Sequence, residues 1–173
     1  MNRIFRLAKS WAPFLLLLGA LFFVRTNVGQ AAYIPSESML PTLQVHDILI
    51  IDKTVKPDQL QFGDIVVFHP PAEANLDKKL IKRLIGLPGD EIEITDGQLY
   101  RNGVKVEESY VKESMKYGFG PITVPEDHYL FLGDNRNESL DSHLWSNPFV
   151  DSKKIIGRAV YRIFPFNQIT SIR

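Results

Sequence analysis

Hydrophobic positions fall into two regimes along this chain. Trp11–Val24 reads WAPFLLLLGALFFV, an apolar run without a charge, whereas beyond Ala32 apolar residues come in short bursts. The bursts are Asp47–Ile51 (DILII), Asp64–Phe68 (DIVVF), Leu80–Gly86 (LIKRLIG), Glu91–Thr95 (EIEIT), Tyr129–Leu132 (YLFL) and Ile155–Phe164 (IIGRAVYRIF). They are rich in β-branched and aromatic residues and are punctuated by Gly, Pro, Asn and Asp, the signature of strands and turns. EIEIT alternates, which predicts a strand wet on one face. DILII and DIVVF are nearly continuous, which predicts strands buried on both faces. Asp96-Gly97 and Asn102-Gly103 suit two-residue hairpin turns and bracket a short strand, Gln98–Arg101. The expected fold is all-β, of packed or coiled antiparallel sheets without an internal repeat. Lys112–Gly120 (KESMKYGFG) is the expected mobile loop.

The N-terminal segment has two readings. Arg3, Arg6 and Lys9 precede the apolar run with no acid among them. A basic start, an apolar run and then small residues such as Gly29, Ala31 and Ala32 is the order of a cleavable signal peptide. A membrane helix needs about 20 residues. Ile4–Val24 supplies that length if Arg6, Lys9 and Arg25 snorkel at its ends. Pro13 falls near the helix start, where its missing N–H costs little. The basic cluster would hold the N-terminus in the cytoplasm and send the rest of the chain across. The segment alone leaves the two readings level.

Composition narrows the rest. A chain of 173 residues holds one mid-sized domain plus an anchor. We divide it into residues 1–30, a basic flank and membrane anchor, and residues 31–173, an extracytoplasmic β catalytic domain. Lys plus Arg equals Asp plus Glu at 20 each, and no basic stripe is interleaved with aromatics, so no nucleic-acid partner is expected. With no cysteine, a disulfide framework, a thiol nucleophile and thiolate metal sites are excluded. His46, His69, His128 and His143 lack metal-ligand spacing, so neither a metal nor a cofactor is expected.

Three segments carry candidate chemistry. In Ile34–Leu43 (IPSESMLPTL), Ser36 and Ser38 flank one residue just past the apolar run, with Pro35 and Pro41 stiffening the chain. A serine hydroxyl needs a base to become a nucleophile. In Lys79–Asp90 (KLIKRLIGLPGD), strand alternation puts Leu80, Lys82 and Leu84 on one face and Ile81, Arg83 and Ile85 on the other. Either way a cation stands between apolar neighbours. An exposed lysine, with a pKa near ~10.4, stays protonated; buried among apolar groups it becomes a neutral amine able to accept a proton. Ser–Lys pairs substitute for the histidine-based triad. The third segment, Gly133–Trp145 (GDNRNESLDSHLW), packs Asp134, Arg136, Ser139 and Asp141 into a polar turn after YLFL.

Taken in order, SESMLPTL, GDIVVF, KRLIGLPGD and GDNRNESLDS resemble the motif set of bacterial type I signal peptidases, membrane-bound serine endopeptidases with a Ser–Lys dyad. The resemblance spans Ser36 to Ser142. It implies the coiled antiparallel fold shared with SOS-repressor-type proteases, here behind one N-terminal transmembrane helix. It implies Ser38 as nucleophile, Lys82 as general base, and Ser36 beside the Ser38 N–H in the oxyanion hole. It makes Ser139 the residue that orients the lysine amine, with Asp134 in the same support loop and Asp141 and Arg136 as the loop's ion pair. The partners implied are secretory preproteins, cut after small residues of A-x-A-like sites, and membrane lipid; a monomer is expected. The preprotein would bind as an extended strand between Ala31–Ser38 and Lys79–Lys82, with Ile34, Pro35, Leu43 and Ile81 lining its pockets. The implied location is a cell membrane or thylakoid-type internal membrane.

The sequence departs from that pattern at His143, where arginine is usual, and at Asn137, where acid is common. Ser109-Tyr110-Val111-Lys112 matches the S-x-x-K of penicillin-binding serine enzymes, yet it follows a hairpin and lacks the companion motifs. A self-cleaving Ser–Lys regulatory protease would need a regulatory segment ahead of the fold. A degenerate, signal-peptidase-like assembly chaperone would have lost Ser38 or Lys82.

Overall fold

The computed structural model describes residues 2–74, 76 and 78–172. The chain opens with one helix, α1 (Asn2–Asn27), and then turns to β-structure. The larger sheet contains β1 (Gly29–Tyr33), β2 (Ile48–Asp52), β3 (Ile65–Phe68), β4 (Leu80–Gly86), β9 (His128–Leu132), β10 (Val150–Asp151), β11 (Ile155–Phe164) and β12 (Thr170–Ser171). Its order is β1-β2-β11-β3-β4-β9-β10, with β12 added to β11. The smaller sheet contains β5 (Glu91–Thr95), β6 (Gln98–Arg101), β7 (Val104–Lys105) and β8 (Phe119–Thr123), in the order β7-β6-β5-β8. Strand pairing is antiparallel throughout the described residues.

Burial follows the apolar pattern, with one correction. Every residue of β3 is buried because its two faces serve two cores. Ile65 and Val67 join Ile34, Met39, Leu43, Leu49 and Ile51. Val66 and Phe68 join Leu84, Phe131 and Trp145, with Phe68 stacked on Phe131 at 4.3 Å between ring centroids. In β2, expected to be buried on both faces, only Leu49 and Ile51 are buried; Ile48, Ile50 and Asp52 are half-buried. Leu49 and Ile51 join the first core, whereas no core among the described residues takes in Ile48 or Ile50 on the opposite face. A third core joins the sheets through Ile85, Leu130 and Leu132 on one side and Ile92, Ile94 and Leu99 on the other.

The hairpin turns form as expected. Asp96, Gly97, Asn102 and Gly103 all take positive φ, the backbone that a type I′ turn demands. Part of the expected mobile loop is instead β8, and the stretch before it is fastened to Asn137. That side chain accepts from the Lys116 N–H at 2.9 Å and donates to the Ser114 carbonyl at 3.1 Å. The sequence from Lys112 on is polar and Gly-rich, so its strand was invisible to periodicity.

Among the described residues, no helix is long and apolar enough to cross a membrane. The side chains of Arg3, Arg6, Lys9 and Val24, invoked for an anchor, lie outside the described ones.

The cores set a stability contrast. Phe68→Ala empties a fully buried, stacked position and is expected to cost about 3–5 kcal/mol in urea unfolding. Phe166→Ala, at a site 79% exposed, is expected to change stability by less than about 0.5 kcal/mol.

Candidate active site

Two chain segments bring serine and lysine together. Ser38 follows β1 in a turn whose backbone is tied down by Leu40 N–H to Glu37 O and Leu43 N–H to Met39 O. Lys82 stands in β4 opposite Val66 of β3, between Leu80 and Leu84 on the same face. Lys82 Nζ lies 2.5 Å from Ser38 Oγ. The lysine is 3% exposed. Among the described residues no salt bridge reaches it.

Burial pushes the Lys82 amine down from its ordinary 10.5 to about 8. The charges of Asp141 and Asp134 pull it back up, and that of Lys78 assists burial. A desolvated amine that loses its proton near neutrality can take one from a hydroxyl it already touches. Ser36 Oγ lies 3.4 Å from Ser38 Oγ.

The polar loop after β9 seals the back of this pair. Asn135 N–H donates to the Ser38 carbonyl at 3.1 Å, and Asn135 Nδ2 donates to the Glu37 carbonyl at 3.2 Å. Asp141 accepts from the Gly133 N–H at 2.8 Å, and Ser142 Oγ accepts from the Phe131 N–H at 3.1 Å. Gly133 admits no side chain: a Cβ there would stand 2.2 Å from Ser139 Oγ and 2.4 Å from the Ser38 carbonyl oxygen. Ser139 Oγ itself is buried and has no hydrogen-bond partner among the described residues, so no bond to the lysine amine is formed.

The ion pairs differ from those expected. Asp141 does not pair with Arg136; its partner is His143, whose Nδ1 is 2.7 Å away and whose ring stacks on Tyr117 at 3.9 Å. His143 thus occupies the cation's place in the pattern. Arg136 instead grips Glu108 with two bonds of 2.6 Å. Asp134 is held by Arg83, at 2.8 and 2.6 Å, and by the Thr42 hydroxyl at 2.5 Å. Sequence reasoning gave no role to Arg83, Thr42, Glu108 or Asn135. The adjacent Lys-Arg pair in β4 was the one available signal, since alternation sends the two cations to opposite faces.

Two cavities adjoin the pair. One, of about 310 Å³, runs between β1 and the start of β4 and is lined by Ala32, Ile34, Pro35, Val67, Ile81 and their neighbours. The other, of about 410 Å³, holds Ser36, Ser38 and Lys82. Both strands offer backbone here, because β1 is an edge strand and β4 pairs with β9 only from Arg83 onward. Of the expected pocket residues, Leu43 is missing from this lining; it is fully buried in the core behind Ile34. Ser109 and Lys112 of the S-x-x-K match are both exposed and form no comparable pair.

The model of the family described as "Signal peptidase, peptidase S26" matches residues 6–164. The chain belongs to this family. Signal peptidase I of Leptolyngbya laminosa is 47% identical over 84% of this chain and 74% of that one. Signal peptidase I of Bacillus licheniformis is 37% identical over 84% of this chain and 82% of the other. A crystal structure of a signal peptidase I from Enterococcus faecalis superposes with a TM-score of 0.48 at 34% identity, covering 57% of this chain and 95% of that one. The chain is therefore a peptidase, and the buried Ser38–Lys82 contact is its best-built candidate for the reacting pair.

For this S26 peptidase, burial of the amine has a thermodynamic signature. The protonated lysine is better accommodated in the unfolded chain, so below about pH 8 its burial costs on the order of 3 kcal/mol. The cost fades as pH rises toward 10.5, above which both states hold the neutral amine. Lys82→Met is expected to raise stability most below pH 8, with the gain shrinking toward pH 10.5 in urea unfolding at stepped pH. A gain independent of pH would contradict the buried, neutral amine.

Proposed function

We propose that this signal peptidase cuts preproteins after small residues of A-x-A-like sites, with Ser38 as nucleophile and neutral Lys82 as general base. The observation that carries the reading is the 2.5 Å contact between a serine hydroxyl and a lysine that burial holds near the point of deprotonation.

In this reading Lys82 Nζ accepts the Ser38 proton as Oγ attacks the scissile carbonyl carbon. The Ser38 N–H and the Ser36 hydroxyl receive the oxyanion, each donor supplying roughly 3–4 kcal/mol of barrier reduction. The protonated Lys82 then gives its proton to the leaving amine, freeing the mature protein and leaving the signal peptide as an ester on Ser38. Water, deprotonated by Lys82, attacks that ester, and Lys82 returns the proton to Ser38 Oγ as it leaves, releasing the signal peptide and restoring the pair. Ser139, a free buried hydroxyl beside Gly133, is the group available to hold the amine as it turns between these tasks.

The preprotein enters as an extended strand between β1 and β4, whose unpaired backbone edges face the apolar groove. Half-buried Ile81, buried Ile34 and exposed Pro35 leave shallow apolar pockets there, a fit for alanine-sized side chains. α1 serves as the anchor of residues 1–30. Support comes from Trp11, Phe14, Leu15, Leu16, Leu17, Leu18 and Phe22, apolar side chains that the β domain leaves exposed. Only Val28 separates α1 from β1, so an anchored helix would hold the groove at the membrane surface on the extracytoplasmic side.

Cleavage of a preprotein in detergent tests the reading. Ser38→Ala and Lys82→Ala are each expected to lose at least about 10³-fold in kcat. Lys82→Arg, a cation that does not deprotonate, should be equally inactive. The wild-type rate should rise with pH through about 8 as Lys82 loses its proton. Near-normal cleavage by any of the three variants would show that the pair is wrongly assigned.

A further inference from the structure

Ser109-Tyr110-Val111-Lys112 drew notice for a match that the fold does not honour, yet the residues around it are among the best connected in the molecule. Glu108 forms a buried, two-bond ion pair with Arg136 at 2.6 Å, and its side chain is 6% exposed. The Tyr110 hydroxyl donates to Glu108 Oε1 at 2.7 Å. The Arg83 guanidinium carbon sits over the Tyr110 ring, 3.8 Å from its centroid. One segment, following the edge strand of the smaller sheet, therefore grips Arg83 of the larger sheet and Arg136 of the loop after β9.

Both arginines touch the backbone or side chains that support the reacting pair. Arg83 follows Lys82 in β4 and carries Asp134 at 2.8 and 2.6 Å. Arg136 Nε donates to the Gly133 carbonyl at 3.0 Å, closing the loop whose Asn135 N–H holds the Ser38 carbonyl. Misplacing a reacting group by about 1 Å costs up to about 100-fold in rate, so groups that fix these backbones matter even without touching substrate.

We propose that Glu108 and Tyr110 are positioning residues of the peptidase: Tyr110 fixes the Lys82 strand through Arg83, and Glu108 fixes the Ser38-binding loop through Arg136. The inference rests on Ser38 and Lys82 being the reacting pair. Neither residue lines the substrate groove or the cavity of the pair. Their loss should therefore reach kcat and leave KM unchanged. The charged groups acting on Lys82 are Asp141, Lys78 and Asp134. When Arg83 loses its stacking partner it neutralises Asp134 less well, and the protonated amine is favoured.

The test uses the full chain in detergent with a synthetic peptide spanning an A-x-A-like site, alongside Ser38→Ala and circular dichroism of each variant. Tyr110→Leu is expected to lower kcat by about tenfold or more, with KM within twofold and the rising limb of the pH profile moved to higher pH. Tyr110→Trp, which keeps a ring under Arg83, should restore both kcat and the limb. Glu108→Gln should lower kcat to a similar extent at unchanged KM. Should Tyr110→Leu melt earlier yet keep its kcat and pH profile, Tyr110 is merely structural and the inference fails; a rise in KM alone overturns it too. An inactive Ser38→Ala beside an unimpaired Tyr110→Leu overturns this inference and spares the dyad. An active Ser38→Ala overturns both. If Tyr110→Leu does not fold, the Glu108→Gln and Tyr110→Trp rates decide.

Discussion

Removing one amine from water is the constraint around which this molecule is arranged. A lysine side chain on a strand normally reaches solvent and keeps its proton. Lys82 instead lies among Leu80, Val66 and Leu84, with Ser38 Oγ as its polar neighbour at 2.5 Å. Burial lowers the amine; two carboxylates, Asp134 and Asp141, oppose the shift. Their influence is limited because each is occupied elsewhere. Arg83 and Thr42 hold Asp134, while His143 and the Gly133 N–H hold Asp141. Charge that would have kept the lysine protonated is spent inside the loop that supports it.

The same economy explains the ion pairs. A buried Arg–Asp pair is weak evidence for stability, since desolvation opposes attraction, yet breaking it costs about 3–5 kcal/mol. Arg83–Asp134 and Arg136–Glu108 are both buried, and both lie one step from a reacting group or its loop. Their geometry ties the larger sheet, the polar loop and the segment after the hairpin of the smaller sheet into one support. The smaller sheet thereby contributes to the site without supplying a reacting atom.

Much of this was legible in the sequence. β4, β5 and β11 begin and end where the apolar bursts do, and β6 fills the stretch between the two hairpin turns, because turn residues bound each of them. Alternation alone sent Lys82 and Arg83 to opposite faces and made one of them a buried cation. Four motifs in order then gave Ser38 and Lys82 their resemblance to type I signal peptidases. What stayed hidden was long-range. β8 lacks an apolar period, and Glu108 finds Arg136 across 28 positions, a pairing no local pattern encodes. The Arg136–Asp141 pair implied by the resemblance does not form, because His143, two residues from Asp141, takes that carboxylate. Leu43, expected among the pocket residues under the resemblance, is core.

The central claim is that burial lets Lys82 give up its proton near pH 8, far below an exposed lysine, and its titration can be watched directly. With ¹³C- and ¹⁵N-labelled lysine in the intact protein in detergent, and Lys82→Met to assign the signal, the Lys82 resonance should move through a midpoint near 8. The exposed lysines should titrate near ~10.4. A Lys82 signal that titrates with the exposed lysines would contradict the account.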